Sequence, residues 1–538
     1  VMMSMAFMDV YPKLASYFIS SAVRCTEYTA WHFAPEGSWY EGTSYGIMTL
    51  RFYAYELAPL DMILGETFSL REVEGMSTAA RVVVTMQCPD GAYKFADHSG
   101  SNGVEYDAGV TWFANFYGDS MTPSAWYSTF DINYGEDDTL ARTMLWYRPE
   151  FADGGDISEK DYFYPATDVV VMHDGWGKNA HGLVGLKGGM PSVDHGHMDI
   201  GSFGFFSDGA EWATDMGYED YNLPRYFAGS FDDAPRWTYY RLRAEAHNCL
   251  VINPDERGGF DPNVNADVVR FESAGKGAIA VVDMTDSYGA AKVKNARRGF
   301  FYTDDRRSLV VRDEVELTKS AELDWFMITR QKAEIDGKSV ILTDKTDSGR
   351  KLKLDFAASG DFELSAATPA PLGTSPHPDG MKDNSEYTRI RFVMKADGGE
   401  NASITAKLTP MSWELGSAVT DYDKPIDEWS IPEGEMLKNV SLDEIYVNGV
   451  SVPLNSDSIR YYYPKDMTAV PEVSAVSNEF DVAVENAPSL DGETKITVSE
   501  KGRPENKKVY TVKFELLKDT DYPGVREIAP VSISASAE

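Results

Sequence analysis

Hydrophobic positions along the chain change their period once, from a helical period to a strand period. In residues 1–150, apolar side chains recur every three or four positions over helical lengths, and Gly, Pro and Asp clusters separate the segments. The clearest segments are GIMTLRFYAYELAPLDMIL (46–64), STAARVVVTMQC (77–88), DAGVTWFANFYG (107–118) and DTLARTMLWY (138–147). Several of them are apolar on every side, which predicts helices that pack against one another.

From about residue 165 the period becomes two. Short runs rich in β-branched and aromatic residues, such as TDVVVMHD, NCLVIN, SLVVRDEVEL and TRIRFVMKAD, continue to about residue 410 and predict a large antiparallel β-sandwich. Further along, EIYVNGVSV, TKITVSE and KKVYTVKFELL surround Asn-Gly and Asp-Gly turns. These runs predict a small C-terminal Ig-like β-sandwich over residues 436–520.

The chain is therefore predicted to be a multidomain protein, first α and then all-β. Two polar stretches, 151–164 and 411–435, are predicted linkers, and 521–538 is a predicted tail. The first residue, Val1, already stands in a pattern typical of helical structure. We therefore expect that a part of the helical region precedes it.

Composition excludes several classes of protein. The chain of 538 residues has 50 basic and 85 acidic residues, a formal net charge of −35, whereas nucleic-acid binding needs a basic face. No run approaches 18 consecutive apolar residues, so a membrane span is not predicted. The three cysteines lie far apart, which excludes a disulfide framework and a zinc ribbon.

Histidine is rare, with 8 in the whole chain, yet two occur in the segment DHGHMD (194–199). On a strand, His195 and His197 would point to the same face and share a site, whereas a bend at Gly196 would split their roles. Asp215 follows, and His247 directly precedes another apolar run. Two imidazoles and a carboxylate are a ligand set that Zn²⁺ accepts, and hydrogen-bonded core histidines are the alternative.

These residues belong to a longer pattern that resembles the heparinase II/III-like polysaccharide lyases. That family has an HxHxDxxSF segment, then an aspartate, a basic and aromatic stretch and an AHN motif. The corresponding segments here are HGHMDIGSF (195–203), Asp215 and RWTYYRLRAEAHN (236–248). In the helical region, PEGSWYEGTSYG (35–46) is similar to the family's DGxxxEGxxY element.

The resemblance implies that residues 1–150 are the closing part of an incomplete (α/α) toroid. It implies a secreted, periplasmic or cell-surface enzyme that cleaves a uronic-acid polysaccharide, such as heparan sulfate, chondroitin sulfate or alginate, by β-elimination. By the same resemblance, Tyr45 and His195 are catalytic, and His197, Asp215 and His247 hold a zinc ion that supports the structure. The family residue that neutralises the substrate acid would lie before the start of this chain.

Elimination removes the hydrogen next to a carboxylate, so the site must stabilise a second negative charge. A tyrosine has a reference pKa of about 10 and acts as a base only where positive charge lowers that pKa. For the opposite epimer of the sugar acid, a neutral His195 can be the base while Tyr45 is the acid.

Substrate contacts are predicted for arginines, which present a planar fork to carboxylate or sulfate, and for aromatic rings that stack on sugars. The predicted residues are Arg236, Arg243, Trp212, Tyr239 and Tyr240. Core aromatics and structural ion pairs are the alternative interpretation. Asp199 is predicted either to orient one of the two histidines or to be a turn residue.

Two other functions fit the sequence. A zinc hydrolase would use the three predicted ligands to activate water, since such sites are also catalytic. A non-catalytic glycan-binding protein would use the C-terminal sandwich as a binding or spacer module.

Overall fold

The chain divides into two compact units, Val1–Leu437 and Lys438–Glu538. The computed structural model describes residues 1–98, 103–119, 122, 125–126, 139–146, 159–228, 234–255, 257–347, 349–413, 418–438, 440–452, 454, 458–465 and 467–516. The predicted tail lies outside these ranges, as do residues 151–158 of the first predicted linker.

The first unit begins with helices, as the three- to four-residue period predicts. They are α1 Met2–Ala6, α2 Pro12–Ala30, α3 Thr43–Pro59, α4 Ala79–Thr85, α5 Ala108–Tyr117 and α6 Thr139–Trp146. Asp107 caps α5 by accepting a hydrogen bond from the Gly109 amide at 2.7 Å. Helices α2 to α5 contribute to one apolar core that includes Ile47, Leu50 and Phe113. Their closure into a toroid stays a prediction.

Most of the regular secondary structure in the rest of the described first unit is β-strand. The first strands are β1 Gln87–Cys88, β2 Gly91–Ala92, β3 Asp161–Tyr164, β4 Val169–His173, β5 Leu183–Lys187, β6 Phe203–Ser207 and β7 Ala210–Ala213. Strands β3 to β7 pair in chain order as an antiparallel five-stranded sheet. Every described residue of β4, β5 and β6 is buried, which explains why these strands are apolar at both alternate positions.

Two further antiparallel sheets follow, one of eight strands and one of four. Their strands are β8 Leu250–Ile252, β9 Val268–Ala274, β10 Gly277–Asp283, β11 Val293–Thr303, β12 Ser308–Leu317, β13 Ala321–Thr329, β14 Lys332–Asp336, β15 Ser339–Thr343, β16 Lys351–Ala358, β17 Phe362–Ala367, β18 Thr388–Ala396 and β19 Asn401–Pro410. The short helix α7, Thr285–Tyr288, lies between β10 and β11. The sheet orders are β14-β15-β16-β19-β12-β11-β10-β9 and β17-β18-β13-β8.

One continuous apolar core joins these three sheets. It contains Val170 of the five-stranded sheet, Phe300 of the eight-stranded sheet and Trp325 of the four-stranded sheet, all without exposed surface. The layered antiparallel architecture predicted from the two-residue period is thus present. It supplies a rigid support for the loops that precede β6 and β8.

The second unit has a three-stranded and a four-stranded sheet, with orders β21-β20-β23 and β22-β26-β25-β24. The strands are β20 Glu444–Val447, β21 Val450–Val452, β22 Ser458–Tyr463, β23 Val473–Val476, β24 Asp481–Glu485, β25 Glu493–Glu500 and β26 Arg503–Leu516. The pair β22 and β26 is parallel. Ile445, Ile496 and Val512 lie in the apolar core of the second unit.

Within the described parts of the chain, no helix combines the length and the apolar character that crossing a membrane requires.

Candidate active site

Tyr45 stands in the first turn of α3, directly after a glycine turn. Gly42 has a φ of +91°, and a Cβ there would lie 2.9 Å from the carbonyl oxygen of Phe95. Only glycine fits this close approach without displacing the backbone. The turn therefore holds the start of α3 against the segment that follows β2, and Tyr45 is half-buried there.

His195 and His197 lie in the loop between β5 and β6, and the strand alternative for this segment is wrong. His195 has a φ of +57°, a left-handed conformation that costs a non-glycine residue on the order of 1–3 kcal/mol. A Cβ at Gly196 would lie 2.3 Å from the carbonyl oxygen of Pro191. The bend at Gly196 gives the two imidazoles separate surroundings.

Both imidazoles contact the same carboxylate, that of Asp97. The Nδ1 atom of His195 lies 2.7 Å from Oδ2, and the Nε2 atom of His197 lies 2.8 Å from Oδ1. Tyr226 donates its hydroxyl to Oδ1 at 2.8 Å. The backbone amide of Asp97 also donates to the carbonyl of His195 at 3.1 Å.

A chain of hydrogen bonds connects Tyr45 with His195. The Tyr45 and Tyr221 hydroxyl oxygens lie 2.7 Å apart, and the Tyr221 hydroxyl lies 3.2 Å from Nδ1 of His195. The rings of Tyr45 and His195 are in contact, with centroids 4.5 Å apart. The helical region and the β-region thus contribute one group each to a single site.

Burial raises the pKa of the Tyr45 hydroxyl. A hydrogen bond from Tyr221 opposes this shift, whereas the charges of Asp97 and Glu41 add to it. Since burial and the neighbouring negative charges both raise the pKa, Tyr45 is a neutral phenol at neutral pH.

The pKa values of His195 and Asp97 shift because these two side chains contact each other. Burial lowers the pKa of His195, but the hydrogen bond and charge of Asp97 outweigh burial, so the pKa is raised overall. Burial raises the pKa of Asp97, but its bonds from His195, His197 and Tyr226 outweigh that effect and hold the pKa well below its usual range. Asp97 is therefore a carboxylate at neutral pH.

A cleft of about 600 Å³ opens beside Tyr45. Its lining residues are Ser44, Tyr45, Ile47, Met48, Arg51, Asp97, Glu105, Tyr106, Tyr218 and Tyr221. Glu105 accepts a hydrogen bond from Ser44 at 2.9 Å. Arg51 is the basic side chain in this lining; it pairs with Asp107 at 2.7 Å and its side chain is 37% exposed. A polar ligand in this cleft would meet the Arg51 guanidinium and Tyr45, whose ring contacts His195.

The predicted metal ligands His197, Asp215 and His247 form a compact buried group. One potential ligand atom from each lies within 4.8 Å of the others. Asp215 Oδ2 lies 2.6 Å from Nδ1 of His247. Nδ1 of His197 and Nε2 of His247 are buried and have no hydrogen-bond partner among the described residues. Two unpartnered imidazole nitrogens beside a carboxylate fit a zinc ion, because buried polar atoms otherwise need partners.

Asp199 orients neither histidine. Its carboxylate accepts a hydrogen bond from the Lys187 ammonium at 2.6 Å and another from the Ala96 amide at 3.1 Å. The group that orients both imidazoles is Asp97, one residue beyond Ala96. Asp199 contacts neither imidazole, but its bond to the Ala96 amide fixes the backbone next to Asp97.

Arg236, a predicted substrate contact, lies beneath the histidine loop. It is 3% exposed and donates to the carbonyl of Gly196 at 2.8 Å, while its guanidinium packs on the rings of Tyr226 and Trp237. Its contacts fix the bend of the loop. It is not among the residues that line the described cleft.

The other four predicted substrate contacts are interior side chains, at most 4% exposed: Trp212, Tyr239, Tyr240 and Arg243. Tyr239 donates its hydroxyl to the carbonyl of Pro224 at 2.6 Å, and Arg243 donates to the carbonyl of Trp237 at 2.8 Å. These partners are internal, so the structure gives the four side chains a packing role and places none of them in the described cleft.

The sequence prediction assigned no role to Asp97, Arg51 or Glu41. Glu41 lies near the imidazole, with Oε1 3.8 Å from Nε2 of His195. Both Glu41 and Arg51 stand close to Tyr45 in the sequence, which is a usable signal for the same site. Asp97 lies far in sequence from both histidines, in YKFADHSG, and no spacing links them.

Comparison with known proteins agrees with this architecture. Residues 166–378 match the family model described as Heparinase II/III-like, C-terminal. A search of curated proteins found no match.

Solved structures give the same result at the level of the fold. A crystal structure of heparinase III has a TM-score of 0.53 and 12% sequence identity, with 93% of this chain and 64% of that chain covered. A mutant of the heparan sulfate lyase HepC from Pedobacter heparinus has a TM-score of 0.52 and 12% identity, with 94% and 63% covered. The chain thus spans under two thirds of the length of these structures. Residues 166–378 are thus similar to the heparinase II/III-like C-terminal family, and the chain has a fold similar to that of heparinase III.

Proposed function

We propose that the chain is a polysaccharide lyase that cleaves a uronic-acid-containing polysaccharide by β-elimination. The observation that carries the proposal is the contact of Tyr45, which lines the cleft, with His195, their ring centroids 4.5 Å apart. A phenol and an imidazole at this separation are an acid and a base that can act on adjacent carbons of one sugar.

The charges around Tyr45 favour His195 as the base and Tyr45 as the acid. Because burial, Asp97 and Glu41 raise the pKa of Tyr45, the phenol keeps its proton at neutral pH. In the proposal His195 takes the proton next to the sugar carboxylate, and Tyr45 gives its proton to the departing glycosidic oxygen. The bond between that oxygen and the ring then breaks, and a carbon–carbon double bond forms.

The proposal gives Arg51 the role of meeting the sugar carboxylate. Negative charge grows on that carboxylate as the neighbouring proton leaves, so a cation close to it lowers the barrier. Arg51 pairs with Asp107 but stays partly exposed where it lines the cleft, and the cleft acids Asp97 and Glu105 are held by other partners. A guanidinium also suits a sulfate group on the sugar.

A zinc ion held by His197, Asp215 and His247 would brace the loop that carries His195. The three residues are at most 5% exposed, which leaves the group remote from solvent. A hydrolytic zinc site needs an open position for water, and this burial argues against the hydrolase alternative. The ion, when bound, would supply charge compensation and cross-linking of separate segments.

Heparan sulfate is the first substrate to test, because solved structures with this fold include heparinase III and a heparan sulfate lyase. Chondroitin sulfate and alginate complete a panel of uronate polysaccharides. The proposal places the protein outside the cytoplasm, where such polymers occur.

The experiment incubates the protein with each polymer and follows the ultraviolet absorbance of the 4,5-unsaturated product. Tyr45→Phe is the matched variant, because it removes only the proposed acid. Absorbance with wild-type protein and a loss of about 10²–10⁴-fold in the variant supports the proposal. Shortening of the chains without absorbance indicates hydrolysis, and binding without shortening indicates a non-catalytic role.

A further inference from the structure

Asp97 is the meeting point of the proposed catalytic site and the proposed metal site. Its Oδ2 lies 2.7 Å from Nδ1 of His195, and its Oδ1 lies 2.8 Å from Nε2 of His197. The two contacts involve different ring nitrogens, Nδ1 in one histidine and Nε2 in the other. This difference determines which nitrogen of each ring is left over.

A carboxylate has no hydrogen to give, so each nitrogen that bonds to it must be the donor. A neutral imidazole carries one N–H, and its second nitrogen is a bare acceptor. When neutral, His195 is therefore the Nδ1–H tautomer with a bare Nε2. His197 is the Nε2–H tautomer with a bare Nδ1.

Each bare nitrogen is the one that its site needs. Nδ1 of His197 is buried without a hydrogen-bond partner among the described residues, in the group with Asp215 and His247. Nε2 of His195 makes no described hydrogen bond and lies 3.8 Å from Oε1 of Glu41, on a ring that packs against Tyr45. A metal ligand and a general base both act through a bare nitrogen.

We propose that Asp97 is a positioning residue that sets both tautomers at once, preparing Nδ1 of His197 for a metal ion and Nε2 of His195 for proton abstraction. The part that concerns His195 rests on the proposed function. The tautomers themselves do not depend on any activity.

Asp97 is well held for this role. Its side chain has no exposed surface, and Tyr226 donates a third hydrogen bond to Oδ1 at 2.8 Å. Its amide donates to the carbonyl of His195, so the backbone of one partner is tied to the other. Two imidazoles that share such a group cannot change tautomer independently of it.

The test is nuclear magnetic resonance of wild-type protein with ¹⁵N-labelled histidine, mildly alkaline and first without metal. The chain has only 8 histidines, so single His→Gln variants assign the signals. We expect the Nδ1–H form for His195 and the Nε2–H form for His197, and added Zn²⁺ should perturb Nδ1 of His197. The opposite tautomer at either residue would overturn the inference, even if no variant of Asp97 folds.

Asp97→Asn adds a functional measurement. The asparagine amide has one acceptor oxygen, but its NH₂ group is a donor that faces the other imidazole. At least one of the two histidines must therefore change its tautomer. Zinc affinity or kcat is expected to fall by roughly ten- to a hundred-fold, with KM nearly unchanged. Asp90→Asn is the matched control, because Asp90 contacts Nδ1 of His181 at 2.9 Å outside the site.

The two proposals can fail separately. Wild-type protein with the expected tautomers but without lyase activity contradicts the proposed function and leaves the role of Asp97 standing. Active wild-type protein with other tautomers contradicts the role of Asp97 alone. Unchanged tautomers, zinc affinity and kcat in Asp97→Asn also contradict it.

Discussion

The hydroxyl oxygens of Tyr45 and Tyr221 lie 2.7 Å apart, and this contact joins α3 to the segment that follows β7. Since the Tyr221 hydroxyl also lies 3.2 Å from Nδ1 of His195, its loss removes the link between the proposed acid and base. Tyr221→Phe is expected to lower kcat by about ten-fold, the value of one hydrogen bond, with KM little changed.

The control for this variant is Tyr117→Phe. Tyr117 donates its hydroxyl to the carbonyl of Arg71 in the helical region, away from the cleft. Steady-state kinetics on the best uronate polymer compare the two. Equal kcat for both variants and the wild-type protein would show that Tyr221 does not position the proposed acid and base.

Arg51→Ala tests the proposed contact with the substrate acid. Loss of a charge-assisted hydrogen bond of about 1.5–3 kcal/mol corresponds to a rise in KM of roughly ten- to a hundred-fold. The wild-type KM is expected to rise with salt concentration more steeply than that of the variant, since salt screens this contact. Arg71→Ala, at an exposed arginine that contacts Phe116, is the control. A KM for Arg51→Ala equal to that of the control contradicts the assignment.

His247→Ala is expected to lower zinc content and thermal stability together. The substitution leaves Asp215 buried without the imidazole 2.6 Å away, at a cost of about 3–5 kcal/mol. Elemental analysis and calorimetry measure the two effects. His377→Ala is the control, since His377 contacts the carbonyl of Leu372 and is not one of the proposed ligands. Full zinc content in His247→Ala would contradict the proposed ligand set.

Stability is expected to fall in mild acid because of His173. This fully buried imidazole contacts the carbonyl oxygen of Thr85 at 2.7 Å, and burial lowers its pKa to about 4. The unfolded chain takes up a proton near pH 6.5 and the folded chain only near pH 4. The stability contribution is therefore complete above pH 6.5 and is lost as pH falls toward 4, by up to about 3 kcal/mol.

His173→Gln keeps a neutral donor and removes this titration. The fall in Tm between pH 6.5 and pH 4 is expected to be smaller in the variant than in the wild-type protein. His32→Gln, at an exposed histidine, controls for the loss of an imidazole. An equal fall of Tm in wild-type protein and His173→Gln would mean that another group is responsible.

Much of the fold could be predicted from the sequence, because burial imposes a period on the chain. The apolar segment 46–64 corresponds to most of α3 and to the short π-helix Leu60–Leu64 that follows it. The run TDVVVMHD contains β4. For the segment 194–199 the sequence allowed either a strand or a bend, because an HxH pattern is too short to show a period. Its backbone is decided by the approach of Pro191 to Gly196, a contact that only the fold creates.

The site was predictable only where its residues stand in a motif. Tyr45, His195 and the three proposed metal ligands lie in recognisable segments, and the structure brings each group together. Asp97 was missed because its partners are distant in sequence. The aromatic and basic stretch 236–243 was predicted to bind substrate because it precedes His247. Distance along the chain does not tell which way a side chain points, and the structure turns the predicted contacts inward.

Product mass tests the central claim most directly. Heparan sulfate, chondroitin sulfate and alginate oligosaccharides of defined length are digested, and the new non-reducing ends are weighed by mass spectrometry. A lyase with Tyr45 as acid gives end units lighter by one water than hydrolysis products, and Tyr45→Phe gives almost none. Products that carry the added water, or undiminished cleavage by Tyr45→Phe, would contradict it.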